Sequence, residues 1–135
     1  MQDFTQLKVW QKAHSFTVNL YKMTANFPSE EKFPKGYRFA YGLTNQIWRA
    51  SVSIESNLAE GCPKGYRFAY GRNGDKEFSR FIDLAQGSAY EVRCQLFIAR
   101  DLGYFSVDKF ELLLSKIDEI SRMMIAFQKK LKAKG

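Results

Sequence analysis

At 135 residues with a net charge of +7, the chain reads as one domain, 1–135, able to bury a core without disulfides or metals. Its two cysteines, Cys62 and Cys94, have no zinc or redox spacing, and no apolar run approaches the roughly 20 residues that span a bilayer. The start, MQDFTQLKVW, shows no charged-then-apolar secretory pattern, so the expectation is a soluble cytoplasmic protein with no membrane partner.

The charge is unevenly placed. A nine-residue segment, PKGYRFAYG, occurs twice without change, at 34–42 and 63–71. Each copy brings one Lys, one Arg and no acid, so the copies supply +4 and the rest of the chain +3. Lys129, Lys130, Lys132 and Lys134 crowd the C-terminus, where they suit the negative end of a helix dipole. The remaining body is near neutral, which weakens composition as an argument for nucleic acid.

In chain order, the first expected helix opens at Asp3, with Gln6 three residues on as in a capping box. Val9, Ala13, Phe16, Leu20, Met23 and Phe27 form its stripe, and Pro28 is its expected end. Leu7, Trp10, His14 and Tyr21 add a flanking face that suggests burial against another subunit or a wide core stripe. A second helix is expected over 43–60, with the stripe Leu43, Ile47, Ala50, Ile54 and Leu58 and with Gly61 as its stop. The third begins near Asp75 after the loop Arg72 to Gly74 and ends at Gly103. Gly87 and Ser88 suggest a close contact within it, since a mid-helix Gly costs about 1 kcal/mol against Ala. The fourth starts at the cap Ser106, with Phe105 and Phe110 placed as a hydrophobic staple. Phe110, Leu113, Ile117, Ile120, Met124, Phe127 and Leu131 then keep a strict three-four alternation. The expected fold is all-α: an antiparallel, up-down-up-down four-helix bundle.

The repeat sits outside this plan. It covers loops only, and removing 34–41 or 63–70 leaves ordinary bundle connections. Two identical peptides in two unrelated loops read as deliberate grafting more readily than as recent duplication. Lys35, Tyr37, Arg38, Phe39 and Tyr41, and their counterparts Lys64, Tyr66, Arg67, Phe68 and Tyr70, are of the types that dominate protein interfaces. They are the candidate partner-binding residues. Single-stranded nucleic acid and a mere test of loop tolerance or assembly are the alternatives.

No catalytic arrangement stands out. His14 is the only histidine, a rim or packed residue rather than a base. Glu60, Asp83 and Glu91 would matter only if the fold converged them. No phosphate-loop, dinucleotide, HExxH or GxSxG pattern occurs, and the Glu-x-x-His pairs of di-metal bundles are absent. The expectation is no enzyme, no cofactor and no metal.

The stretches LKVWQKA (7–13), GLTNQIWRASVSIESNLAEG (42–61) and DKEFSRFIDLAQGSAYEVRCQLFIARDLGY (75–104) resemble the four-helix proteins encoded in intervening sequences of bacterial large-subunit ribosomal RNA genes. That family is related to the accessory protein of diversity-generating retroelements. The resemblance implies a bundle assembling as a ring-like homopentamer in the bacterial cytoplasm. For the retroelement branch it implies binding to a reverse transcriptase and nucleic acid. Two positions depart from the family pattern: Glu55 stands where Pro is frequent, and Trp48 where Arg is frequent. Lys8, Lys12 and Arg49 remain as candidate nucleic-acid contacts.

Overall fold

The computed structural model describes residues 3–29, 42–63 and 72–134. Residues 34–41 and 64–71 of the two PKGYRFAYG segments, with Lys35, Tyr37, Arg38, Phe39, Tyr41, Lys64, Tyr66, Arg67, Phe68 and Tyr70, lie outside the described residues. Among those described there are four α-helices, one short 3-10 turn and no strand. The helices are α1 (Lys8–Met23), α2 (Leu43–Gly61), α3 (Arg72–Asp101) and α4 (Val107–Lys134).

The start of α1 differs from expectation. Asp3 does accept the Thr5 N–H, at 2.7 Å, but the turn it caps is the 3-10 helix Phe4–Gln6. Hydrogen bonds from the Thr5 hydroxyl and N–H hold the Asp3 carboxyl below its usual range. The chain then passes through Leu7 in an extended conformation, so α1 begins only at Lys8. Its end also differs, falling at Met23 rather than at Pro28. The Thr24 hydroxyl donates to Leu20 O at 2.8 Å and accepts Trp48 Nε1–H at 2.7 Å. Such side-chain bonds compete with helix propagation. A turn closed by Phe27 N–H on Thr24 O still returns Phe27 to the core, so the apolar period outlasts the helix.

Helix α2 ends one residue beyond expectation, and its stripe Leu43, Ile47, Ala50, Ile54 and Leu58 is buried. Gly61 has a different role from a left-handed stop; Gly103 alone has positive φ among the described glycines. A Cβ on Gly61 would lie 2.5 Å from Phe81 Cβ, so the glycine permits close approach of α3. Helix α3 takes in Arg72 to Gly74 as its first turn, where a loop was expected, with Asp75 facing the favourable end of the helix dipole. Gly87 is also corrected: a Cβ there would meet nothing within 4 Å. Its neighbour Ser88 makes the contact instead, donating to Ser53 Oγ at 2.9 Å. Gly103, at φ 78°, closes α3 as a Schellman motif: its N–H bonds Arg100 O, and Tyr104 N–H bonds Ala99 O. Ser106 accepts the Lys109 N–H at 3.2 Å, and Phe105 and Phe110 are both buried beside that cap.

The helices form one buried cluster from Leu7 to Leu131. Rising positions on one helix meet falling positions on the next. Thr17 meets Ser51 and His14 meets Glu55; on the next pair Ser53 meets Ser88, with Gly61 against Phe81. Ser79 meets Gln128 and Arg93 meets Asp118, while α4 also closes on α1 through Lys12 and Glu119. No described helix is long and apolar enough to cross a membrane.

Candidate functional site

Two features on opposite flanks of α1 stand out. The first is an aromatic face shared with α2. On α1, Trp10, His14, Val18 and Tyr21 follow helical spacing on one line, and Trp48, Val52, Glu55 and Ala59 do so on α2. The two lines are cross-linked. Tyr21 stacks on Trp48 with ring centroids 4.3 Å apart and planes 12° apart. Trp10 stacks on His14 at 4.9 Å and 8°, and His14 Nδ1 lies 2.9 Å from Glu55 Oε2. Val18, Tyr21 and Val52 remain 40%, 42% and 39% exposed, so the face is apolar, ordered and open. His14 is accordingly a rim residue tied to a carboxylate.

Trp48 and Glu55, where the resemblance leads one to expect Arg and Pro, both lie here. Trp48 stacks on Tyr21 and donates to Thr24. Glu55 pairs with His14 in the interior of α2, where Pro would remove a backbone donor and kink the helix.

The second feature is a groove between α1 and α4. One stretch of about 430 Å³ is lined by Lys8, Lys12, Phe16, Lys116, Glu119, Ile120 and Met123, among others. A second stretch of about 380 Å³ shares Lys8 and Met123 and continues past Leu7, Val9, Phe127 and Lys130. The floor is apolar and the rim cationic. The Lys12 ammonium lies 3.3 Å from Glu119 Oε1, both side chains about half exposed.

The fold therefore unites Lys8 and Lys12 but separates them from Arg49. That residue lines a polar notch of about 320 Å³ between α2 and α3, with Gln46, Ser53, Glu91 and Gln95. Lys116 was missed by sequence reasoning, and Lys130 was read only as one of the lysines suited to the C-terminal helix dipole. They lie with Glu119, Met123 and Ala126 on a three-four line beside the α4 seam, which was the signal available. The three acids considered as a cluster do not form one. Asp83 accepts Gln128 Nε2–H at 2.7 Å on the α3–α4 side, Glu91 lines the α2–α3 notch, and Glu60 is exposed. A cleft of about 550 Å³ beside Asp83 is lined by Asp75, Arg80 and Lys132; Gln128 reaches its Ser79 and Asp83, and its Arg80 pairs with Glu77. Among the described residues no cluster of His, Cys, Asp or Glu suits a metal ion. Cys62 is buried and Cys94 exposed, both as free thiols. Burial, with Asp3 adding to it, pushes the Cys62 thiol up, which makes it a poor nucleophile.

The family described as 23S rRNA-intervening sequence protein matches residues 5–126. The chain belongs to that family. The fold agrees with a crystal structure of a protein of unknown function from the S23 ribosomal protein family of Bacteroides thetaiotaomicron. The TM-score is 0.67 at 22% identity, over 90% of this chain and 98% of that one. No curated protein matches. As a member of the 23S rRNA-intervening sequence proteins, the chain shares a helical architecture with a relative whose own function is unknown, so its chemistry must be read from its surfaces.

Proposed function

We propose that the chain is a non-enzymatic, self-associating scaffold: an antiparallel up-down-up-down bundle whose α1–α2 aromatic face packs against further copies. The observation that carries this reading is the ordered pair of stacks, Trp10 on His14 and Tyr21 on Trp48, flanked by exposed Val18 and Val52. Aromatic residues are enriched in protein interfaces, and contiguous exposed apolar patches mark association sites. Because His14 and Glu55 satisfy each other, covering the face leaves neither without a partner, which is what buried polar groups require. A ring of five is the assembly that the family resemblance leads us to expect. Size-exclusion chromatography with light scattering should give a multiple of the 15.7 kDa chain mass. A combined Val18→Glu and Val52→Glu variant should fall to one chain while keeping its helical circular dichroism. Elution of the wild type at the mass of one chain sinks the reading.

On this scaffold the two PKGYRFAYG segments act as grafted recognition loops for a protein partner. Pull-downs with the full chain and with a version lacking both segments separate the two roles. Recovery of identical partners by both would remove the loops from the account.

A further inference from the structure

We propose that the groove between α1 and α4 docks an amphipathic helix with acidic flanks, supplied by a partner protein. The inference does not rest on self-association, since the groove lies on the other flank of α1 from the aromatic face. Its first support is charge. Lys8, Lys12, Lys116 and Lys130 line the two joined stretches, and Glu119 is the one carboxylate among the described lining residues. Glu119 is engaged with Lys12 in a half-exposed pair, and such surface pairs are worth little, so the pair opens at small cost. The occupant should therefore be acidic.

The second support is the floor. Met123 and Phe127, both partly exposed, lie along the bottom between the cations, over the buried Phe16 and Ile120. A polyanionic backbone would satisfy the lysines and leave this floor bare. A helix with one apolar stripe covers the floor while its flanking carboxylates meet the rim, the usual helix-in-groove arrangement. Lysine suits such a rim because its methylene stem lies along apolar surface while its ammonium reaches outward. The dimensions agree: from Lys116 to Lys130 the groove runs about 21 Å at the helical rise, or roughly four turns of a docked helix.

The probe is a fluorescein-labelled synthetic peptide of about 16 residues, the length of roughly four turns, with leucines on one helical face and glutamates on both flanks. A scrambled peptide of equal composition, lacking the stripe, is the control. Fluorescence anisotropy with the full chain should show saturable binding of the patterned peptide, at least about tenfold tighter than the scrambled one; tenfold corresponds to about 1.4 kcal/mol. Lys8→Glu with Lys130→Glu should weaken it about tenfold or more, and so should Ala126→Glu, which places a carboxylate in the lining with an unchanged core. The Val18→Glu and Val52→Glu variant should bind as wild type does, so failure of self-association leaves this result readable. Equal binding of the two peptides overturns the proposal, because charge alone would then suffice. No binding of the patterned peptide overturns it as well. So does a labelled single-stranded RNA that binds in a groove-dependent, steeply salt-sensitive way while the peptide does not.

Discussion

Helices α2 and α3 meet through small residues, whereas α1 and α4 meet through large ones, and the two interfaces serve opposite ends. Between α2 and α3, Gly61 lies under Phe81 with no room for a methyl group, and Ser53 and Ser88 share a hydrogen bond. Between α1 and α4, Phe16, Ile120 and Met123 fill the contact, and long lysines stand at its edge. Side-chain size at the contact sets how closely two helices approach. A close seam leaves little for a partner to cover, while the α1–α4 seam leaves Met123 and Phe127 partly exposed. The tight packing at Gly61 therefore lies on the α2–α3 side, and the groove proposed for an acidic helix on the α1–α4 side.

Gly61→Ala is the strongest way to break that contrast. The added methyl meets the Cβ of Phe81, close to the backbone, so the helices themselves must part. Overpacking of this kind costs about 1–3 kcal/mol, and urea denaturation should show it as a lower midpoint with an unchanged slope. The buried hydroxyl pair between α1 and α2 comes next. Thr17 Oγ1 lies 2.6 Å from Ser51 Oγ and also bonds Ala13 O at 3.1 Å. Having one proton, Thr17 donates to the carbonyl and accepts from Ser51. Thr17→Val strands the Ser51 donor and should cost about 1–3 kcal/mol. Adding Ser51→Ala should recover much of the loss, since removing both partners is far milder than removing one. A double-mutant cycle in the same denaturant measures the coupling.

Much of this arrangement was legible in the sequence where local rules govern. Ser106 with its flanking phenylalanines placed the start of α4, and Gly103 the end of α3. Legibility failed where a residue answers to a distant partner. Helix α1 ends at Met23, and Thr24 beyond it is bonded by Trp48, twenty-four positions away. Gly61 looked like a helix stop and is a packing notch against Phe81. The reverse holds for Gly87, where a packing reason was expected and open space was found. The groove was half visible. Lys8 and Lys12 lie one turn apart on α1, but Lys116 and Lys130 join them only because α4 docks beside α1, a pairing that no local pattern sets. Arg49 was grouped with the α1 lysines because charge was the only property in view, and the fold places it beside Glu91.

Gly87 gives the next smaller effect, and it has the opposite sign. A glycine in a helix interior is less stable than alanine there by about 1 kcal/mol, and nothing among the described residues crowds the site. Gly87→Ala should therefore stabilise the protein by up to about that amount, in contrast to the same change at Gly61. The two substitutions share chemistry, but Gly61 ends α2 while Gly87 lies inside α3, so a loss at Gly61 reports the closeness of the α2–α3 seam and a gain at Gly87 the helix propensity. The smallest effect is expected at the other interface. Lys12→Met breaks the exposed pair with Glu119 but keeps an unbranched apolar stem over the groove floor. Such surface pairs contribute about 0–1 kcal/mol, so the denaturation midpoint should hardly move. A loss near that of Gly61→Ala would mean that the groove wall holds the bundle together, and the division between a stabilising seam and a binding seam would then fail.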